Sequence, residues 1–397
     1  MWKSFLLAEQ KIQNKGEVGK MRKLYKALSL LLVMLMMAGC FAGCQQAPQD
    51  EPKTPDSTAT EAPAATDVPE PTEEPRAEQR IVCLAPSMVE VVYALGLGDE
   101  IVGWSAYTDY PPEVEQREGW TPYAAYYNTE TADFDVQVEL AKDVAVVSKF
   151  YDCNYEIIEA IEPTIIFGEA EVQQPMVDEL KNKGYNAYNY APATIDEVYA
   201  MMLEMGELLG VKEYAQELVD GYYKEIEEIK AITANLKPVP TYFEIAHQTD
   251  YGEFGVFGPY TNASGTPFDD MIAIAGGINI FSDLEGDYTE VTFEQIVEKN
   301  PAVILSPYWP NAFDEEVTTL YEIMTRPGFD TTDAVKTGRV YYYDSSLMKR
   351  FGPRTVTAIK KLAYLLHPYY FENPENSVSP WELGKIDVFE SFPESLH

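Results

Sequence analysis

From Arg80 onward, short unbroken apolar runs alternate with segments whose apolar positions recur every three or four residues. The runs "IVCLA", "EIVGW", "VAVVS", "TIIFG" and "AYNYA" predict buried strands, and "SMVEVVYALG", "YEIIEAI" and "QPMVDELKNKG" predict helices between them. Strand and helix taking turns in this way predict a mostly parallel sheet with helices packed on it. A second set follows Pro238, with strands "TYFEIA", "AVILS" and "RVYYYD" and helices near "PFDDMIAIAGG", "TFEQIVEK" and "PRTVTAIKKLAYLLH". The chain therefore reads as α/β with two lobes, residues 80–193 and 238–372, each built on a mostly parallel central sheet flanked by helices.

Residues 194–237 lie between the lobes. Ala215, Leu218, Val219, Tyr222, Ile226 and Ile229 recur at helical spacing, so this stretch predicts one long amphipathic helix, preceded by a helix that ends at Gly210. One rigid helix joining two lobes predicts a small hinge motion and a cleft that is largely preformed.

The first 79 residues have a different grammar. Lys20, Arg22, Lys23 and Lys26 precede an apolar run, Ala27 to Ala38, that is short for a membrane span and ends at small residues before a cysteine. That is the pattern of a bacterial lipoprotein signal peptide, residues 1–39, cleaved before Cys40, with Cys44 the alternative acylation site. Met21 is a candidate start, because the residues before it add nothing to the signal. Residues 40–79 are rich in Pro, Thr, Ala and Glu and nearly lack large apolar side chains, which predicts a disordered tether to the membrane. Residues 373–397 form a C-terminal tail of unassigned role.

Composition narrows the function. A formal net charge of −36 repels nucleic acid and anionic lipid headgroups. Only three histidines occur, His247, His367 and His397, too few for a high-affinity zinc site. His247 alone could approach a cleft, and a satisfied loop histidine is its simpler reading. Of the four cysteines, only Cys83 and Cys153 lie beyond the tether, and a buried thiol is the simplest reading of Cys83. With 28 tyrosines among 397 residues, the chain has ample aromatic surface for a binding cleft.

In open α/β sheets the ligand site forms outside the carboxyl ends of the strands. Tyr107, Trp120 and Tyr126 follow the second strand, Phe150 the third, Tyr260 and Trp309 follow strands of the second lobe, and Arg350 follows "RVYYYD". Tyr288 precedes "TEVTFEQ". Aromatic walls with few charges suit a large flat or cage-like ligand. Arg350 would offer its donor fork to a carboxylate, phosphate or hydroxamate oxygen; the alternative is a residue capping the helix that starts at Pro353. Glu90, on the first helix, is either a surface acid near the cleft rim or a ligand contact. No partner acid or histidine marks it as catalytic.

The lobes also share an echo: "FDVQVELAKDVAVV" and "FEQIVEKNPAVIL" each place an acid, Asp135 or Glu294, in the first turn of a helix that feeds a strand. These features together resemble class III substrate-binding proteins of ABC importers for ferric siderophores, haem and cobalamin. The resemblance rests on "RIVCLAPSMVEVVYALGLGDEIVGWSAYTDYPPEV" in the first lobe. In the second it rests on "IAIAGGINIFSD", "YTEVTFEQIVEKNPAVIL", "PGFDTTDAVKTGRVYYYD" and "FGPRTVTAIKKLAYLLHP". It spans about residues 80–371 in the right order.

The resemblance implies the class III periplasmic-binding-protein fold and no enzymatic activity or cofactor. It implies a metal-chelate ligand, ferric siderophore, cobalamin or haem, and an ABC permease as partner. It implies a monomer outside the cytoplasm, anchored by lipid to the cell membrane. In that family one glutamate on each lobe meets arginines of the permease; these map onto Glu294 and, with Asp in place of Glu, onto Asp135, with Glu139 as fallback. Tyr107, Tyr288 and Arg350, and with them Trp120, map onto cleft positions of cobalamin-binding relatives. Two other readings remain at this point: an extracellular glycan-directed hydrolase using cleft carboxylates, and a surface adhesin without transport.

Overall fold

The computed structural model describes residues 77–120, 127–128, 133–134, 143–248, 257–308 and 320–371. In the first lobe these form β1 (Ile81–Cys83), α1 (Pro86–Ala94), β2 (Ile101–Ser105), the two-residue strands β3 (Tyr127–Asn128) and β4 (Asp133–Phe134), and β5 (Ala145–Ser148). They continue with α2 (Tyr155–Ala160), β6 (Ile165–Glu169), α3 (Gln174–Asn182) and β7 (Ala187–Tyr190). The main sheet has the order β5-β2-β1-β6-β7 and every pairing in it is parallel. Helices cover both faces, which is why β1 is buried along its whole length and reads as an unbroken apolar run.

The connection is a pair of helices, α4 (Ile195–Leu208) and α5 (Lys212–Thr233). The Thr194 side chain caps α4 by accepting from the Glu197 amide. Gly210, at φ +74°, makes the turn between the two helices in a backbone region that favours glycine. Gly206 lets them touch, because a Cβ there would collide with the Ala215 side chain. The 22 residues of α5 contain no proline and extend about 33 Å at 1.5 Å per residue.

The second lobe comprises β8 (Val239–Gln248), β9 (Phe257–Asn262), α6 (Pro267–Ile274), β10 (Gly277–Asn279), β11 (Tyr288–Glu290) and α7 (Phe293–Lys299). After these come β12 (Val303–Tyr308), α8 (Leu320–Met324), α9 (Asp333–Lys336), β13 (Val340–Asp344), α10 (Ser345–Lys349) and α11 (Thr355–Leu366). Strands β10, β8, β12 and β13 run parallel, whereas β9 and β11 are antiparallel additions. This sheet is mixed, and the antiparallel return is absent from the hydrophobic pattern. Gly258 and Pro259 interrupt the β9 run, and both residues weaken a strand signal.

One apolar core crosses from lobe to lobe. It includes Ile81, Met88 and Val91 of the first lobe, Met202 and Val219 of the connecting helices, and Phe243, Tyr343 and Ile359 of the second. Separate clusters fill the outer face of each sheet, around Ile158 and Val177 in one and Ile296 and Ile304 in the other. A continuous core opposes wide separation of the lobes, because opening would expose apolar area at roughly 25 cal/mol per Å².

Candidate binding cleft and its charged clasp

The carboxyl ends of β1, β2 and β6 meet the segment 344–355 of the second lobe. At that meeting lies an ion-pair network built on Glu90. A short apolar helix carries Glu90 inward rather than to the rim, and its side chain is only 1% exposed. Arg354 grips it with both arms, Nε to Oε2 at 2.7 Å and Nη2 to Oε1 at 2.5 Å. Arg350 Nη1 lies 3.4 Å from the same carboxylate and donates to Asp109, while Nη2 donates to the Tyr107 carbonyl oxygen at 3.1 Å. The Arg354 guanidinium also sits over Tyr110, 4.0 Å from the ring centre. Burial pushes the Glu90 carboxyl upward, and Arg354 and then Arg350 oppose that shift. Glu90 is therefore a buried acid that ties the two lobes together, not a surface residue.

Arg350 differs from the sequence expectation in one respect. Its fork is directed at Asp109, Glu90 and Tyr107, so its charge is already balanced within the chain. Its neighbour Lys349 donates to the Ile245 carbonyl oxygen at 2.9 Å, and burial lowers its ammonium to about 7.

Among the described aromatic candidates, Tyr107 touches this network through its carbonyl oxygen. Tyr107, Trp120, Phe150 and Tyr260 are half-buried. Trp120 donates its indole N–H to the Thr108 carbonyl oxygen at 2.8 Å. Phe150 adopts φ +73°, unusual for a side chain of its size, and its amide donates to Ser148 Oγ at 3.0 Å. Tyr288 is 48% exposed and meets Phe268 edge-on at 6.5 Å. Tyr126 and Trp309 lie outside the described residues, as do Asp135, Glu139, Cys40, Cys44 and the His247 side chain. His367 is buried, its Nε2 2.9 Å from the Gly276 carbonyl oxygen, and so is a packing residue. Cys83 and Cys153 are both buried free thiols. Among the described residues no group of three or more His, Cys, Asp or Glu side chains could hold a metal ion.

Glu169 escaped the sequence reading. It ends β6, is half-buried, and accepts from the Ser87 hydroxyl at the start of α1. Burial pushes its carboxyl up to about 7, with Ser87 and Arg350 pulling the other way and the Glu90 charge adding to the rise.

One helix-to-strand unit repeats in the two lobes. In α2 the Asn154 side chain caps the helix, Glu156 is its second residue, Glu162 has φ +46°, and the Thr164 amide donates to the Arg80 carbonyl oxygen at 2.9 Å. In α7 the Thr292 side chain caps the helix, Glu294 is its second residue, Asn300 has φ +46°, and the Ala302 amide donates to the Pro240 carbonyl oxygen at 2.8 Å. Each helix then feeds the strand beside the first strand of its lobe, β6 beside β1 and β12 beside β8. The repeat is thus "NYEIIEAIEPTII" with "TFEQIVEKNPAVI", and the counterpart of Glu294 is Glu156. The sequence echo chose the segment before β5, one strand too early, because that segment also begins with an aromatic residue and an acid. Glu156 and Glu294 are both exposed, and the helix-start amides and Thr292 hold Glu294's carboxyl below its ordinary value.

A model of proteins described as "Periplasmic binding protein" matches residues 81–347. The chain belongs to the periplasmic binding protein family. Among its relatives, an uncharacterised ABC transporter substrate-binding lipoprotein of Bacillus subtilis, YvrC, is 28% identical over 87% of this chain and 97% of that protein. A vitamin B12-binding protein of Vibrio cholerae is 24% identical over 72% of this chain and 89% of its own length. The haem-binding protein RhuT from Roseiflexus shares the fold, with a TM-score of 0.57 at 22% identity over 74% of this chain and 99% of that chain. The Vibrio cholerae vitamin B12-binding protein BtuF does so with a TM-score of 0.55 at 23% identity over 72% and 96%. The class III periplasmic-binding-protein architecture expected from the sequence is the architecture found.

Proposed function

We propose that this periplasmic binding protein captures a metal chelate, ferric siderophore, cobalamin or haem, and delivers it unaltered to an ABC permease. The observation that carries the reading is the combination of a shared-core, aromatic cleft with one exposed glutamate at the same turn of the same helix in each lobe. Two such acids on matched helices present a pair of negative charges to a two-sided partner, as an importer's paired membrane subunits would be. The names of the Bacillus and Vibrio relatives support the same reading. The protein works outside the cytoplasm, held to the membrane by lipid on Cys40, and as a monomer.

Glu156 and Glu294 form the docking pair. Cells that depend on this protein for chelate uptake should lose transport when Glu156→Lys and Glu294→Lys are combined, while the purified variant keeps its ligand affinity. Undiminished uptake by the double variant would remove the docking assignment. Loss of ligand affinity together with uptake would show that the acids serve the cleft instead.

A further inference from the structure

The cations and acids of the cleft are unevenly matched. Arg354 and Arg350 are both engaged by carboxylates of this chain, Glu90 and Asp109. An anionic ligand group that drew one of those guanidinium groups away would weaken its hold on a carboxylate of this chain. Asp109 would then lose Arg350, or Glu90 would keep Arg350 alone, and a buried carboxylate short of its cation is unfavourable. Glu169 is in a different position. Its carboxylate accepts from Ser87, and an ionised carboxylate has about four lone-pair sites. It stands half-buried at the carboxyl end of β6, near enough to Tyr288 of the other lobe for its charge to act on that phenol.

Glu169 is also held in place. Its amide donates to Gln173 Oε1 at 2.9 Å, and the buried Gln173 side chain donates to the carbonyl oxygens of Leu84 at 3.2 Å and Phe150 at 2.8 Å. Ser87 fixes the carboxylate from the other side. A preorganised acceptor of this kind loses little entropy on meeting a ligand donor.

We propose that Glu169 is a ligand-contacting, specificity-determining residue of the cleft, and that it selects chelates carrying N–H or O–H donors and no net negative charge. The proposal rests on the chelate-capture reading above and adds to it the chemical class of the cargo. A donor on the ligand gains a charge-assisted hydrogen bond, roughly twice as strong as a neutral one. A ligand carboxylate or catecholate meets repulsion from Glu169 and finds its natural partners, Arg350 and Arg354, already taken. The charges that act on Glu169 are Glu90 on α1 and Arg350 beyond α10, and Glu169 in turn raises the Tyr288 phenol of β11.

The test is calorimetric titration of the full chain at pH 8, where Glu169 is ionised, with four probes. Cyanocobalamin and ferric ferrioxamine B carry amide N–H donors and no net negative charge; haemin and ferric enterobactin are anionic. At least one of the first pair should bind, and at least about a hundredfold more tightly than either anion. Glu169→Ala should weaken that binding about tenfold or more, the loss expected for a hydrogen bond to a charged group. Glu169→Gln should raise the affinity for an anionic probe, a change that a merely structural role would not produce. Thermal melting of both variants separates folding from binding. Haemin or ferric enterobactin binding as tightly as the uncharged probes would overturn this proposal and leave chelate capture standing. So would unchanged affinities in both folded variants. Binding of none of the four would overturn capture and the proposal with it.

Discussion

Replacing Arg354 with alanine would leave the buried Glu90 carboxylate with Arg350 alone, 3.4 Å away. Removing one partner of a buried pair costs about 3–5 kcal/mol, so Arg354→Ala and Glu90→Gln should each lower the denaturant midpoint, and the double variant should lose less than the sum of the two. Sequence alone made Glu90 look like a surface acid because its partners lie more than 240 positions away. One clue was present: Arg354 stands at the start of α11, where the helix dipole disfavours a cation unless an acid compensates it. Glu169 offers a second test at this scale. Its folded carboxyl titrates near 7, whereas the unfolded one titrates near 4.3, so the folded state binds more protons between those values. Stability should therefore fall as pH rises from about 4.5 to 7, and Glu169→Gln should flatten that part of the curve. An unchanged slope in the variant would show that the carboxyl is not perturbed.

At the scale of elements, the parallel strands were legible because burial on both faces leaves continuous apolar runs such as "IVCLA" and "AVILS". The return strand β9 was not, since Gly258 and Pro259 break its pattern and its partners are set by tertiary contact. The helix repeat was half legible. Sequence found Glu294 but paired it with Asp135, and only the shared caps, the matching positive φ at Glu162 and Asn300, and the equivalent amide bonds identify Glu156. The connecting helices show how a small residue carries an architectural role. Gly206→Val would drive a branched side chain into Ala215 and pry α4 from α5, at a cost of about 1–3 kcal/mol or more. The same change should loosen the lobes; hydrogen exchange along α5 would speed up if the helix pair is what holds them.

For the whole molecule, the central claim is that one core running through both lobes supports a largely preformed cleft that takes up bulky cargo and leaves it intact. Sequence marked aromatic side chains at strand ends as candidates and gave no sign of the charge network between the lobes. A charge balance assembled from residues 87–110, 169 and 350–354 has no signature in local sequence. The most direct measurement is to purify the full-length protein from its native host, record its absorption spectrum, and release the bound molecule for mass analysis. The account predicts one corrin, ferric-siderophore or haem chromophore per chain, recovered with unchanged mass after long incubation. A protein that emerges without a chelate after growth in its presence, or that returns a chemically altered molecule, would contradict it.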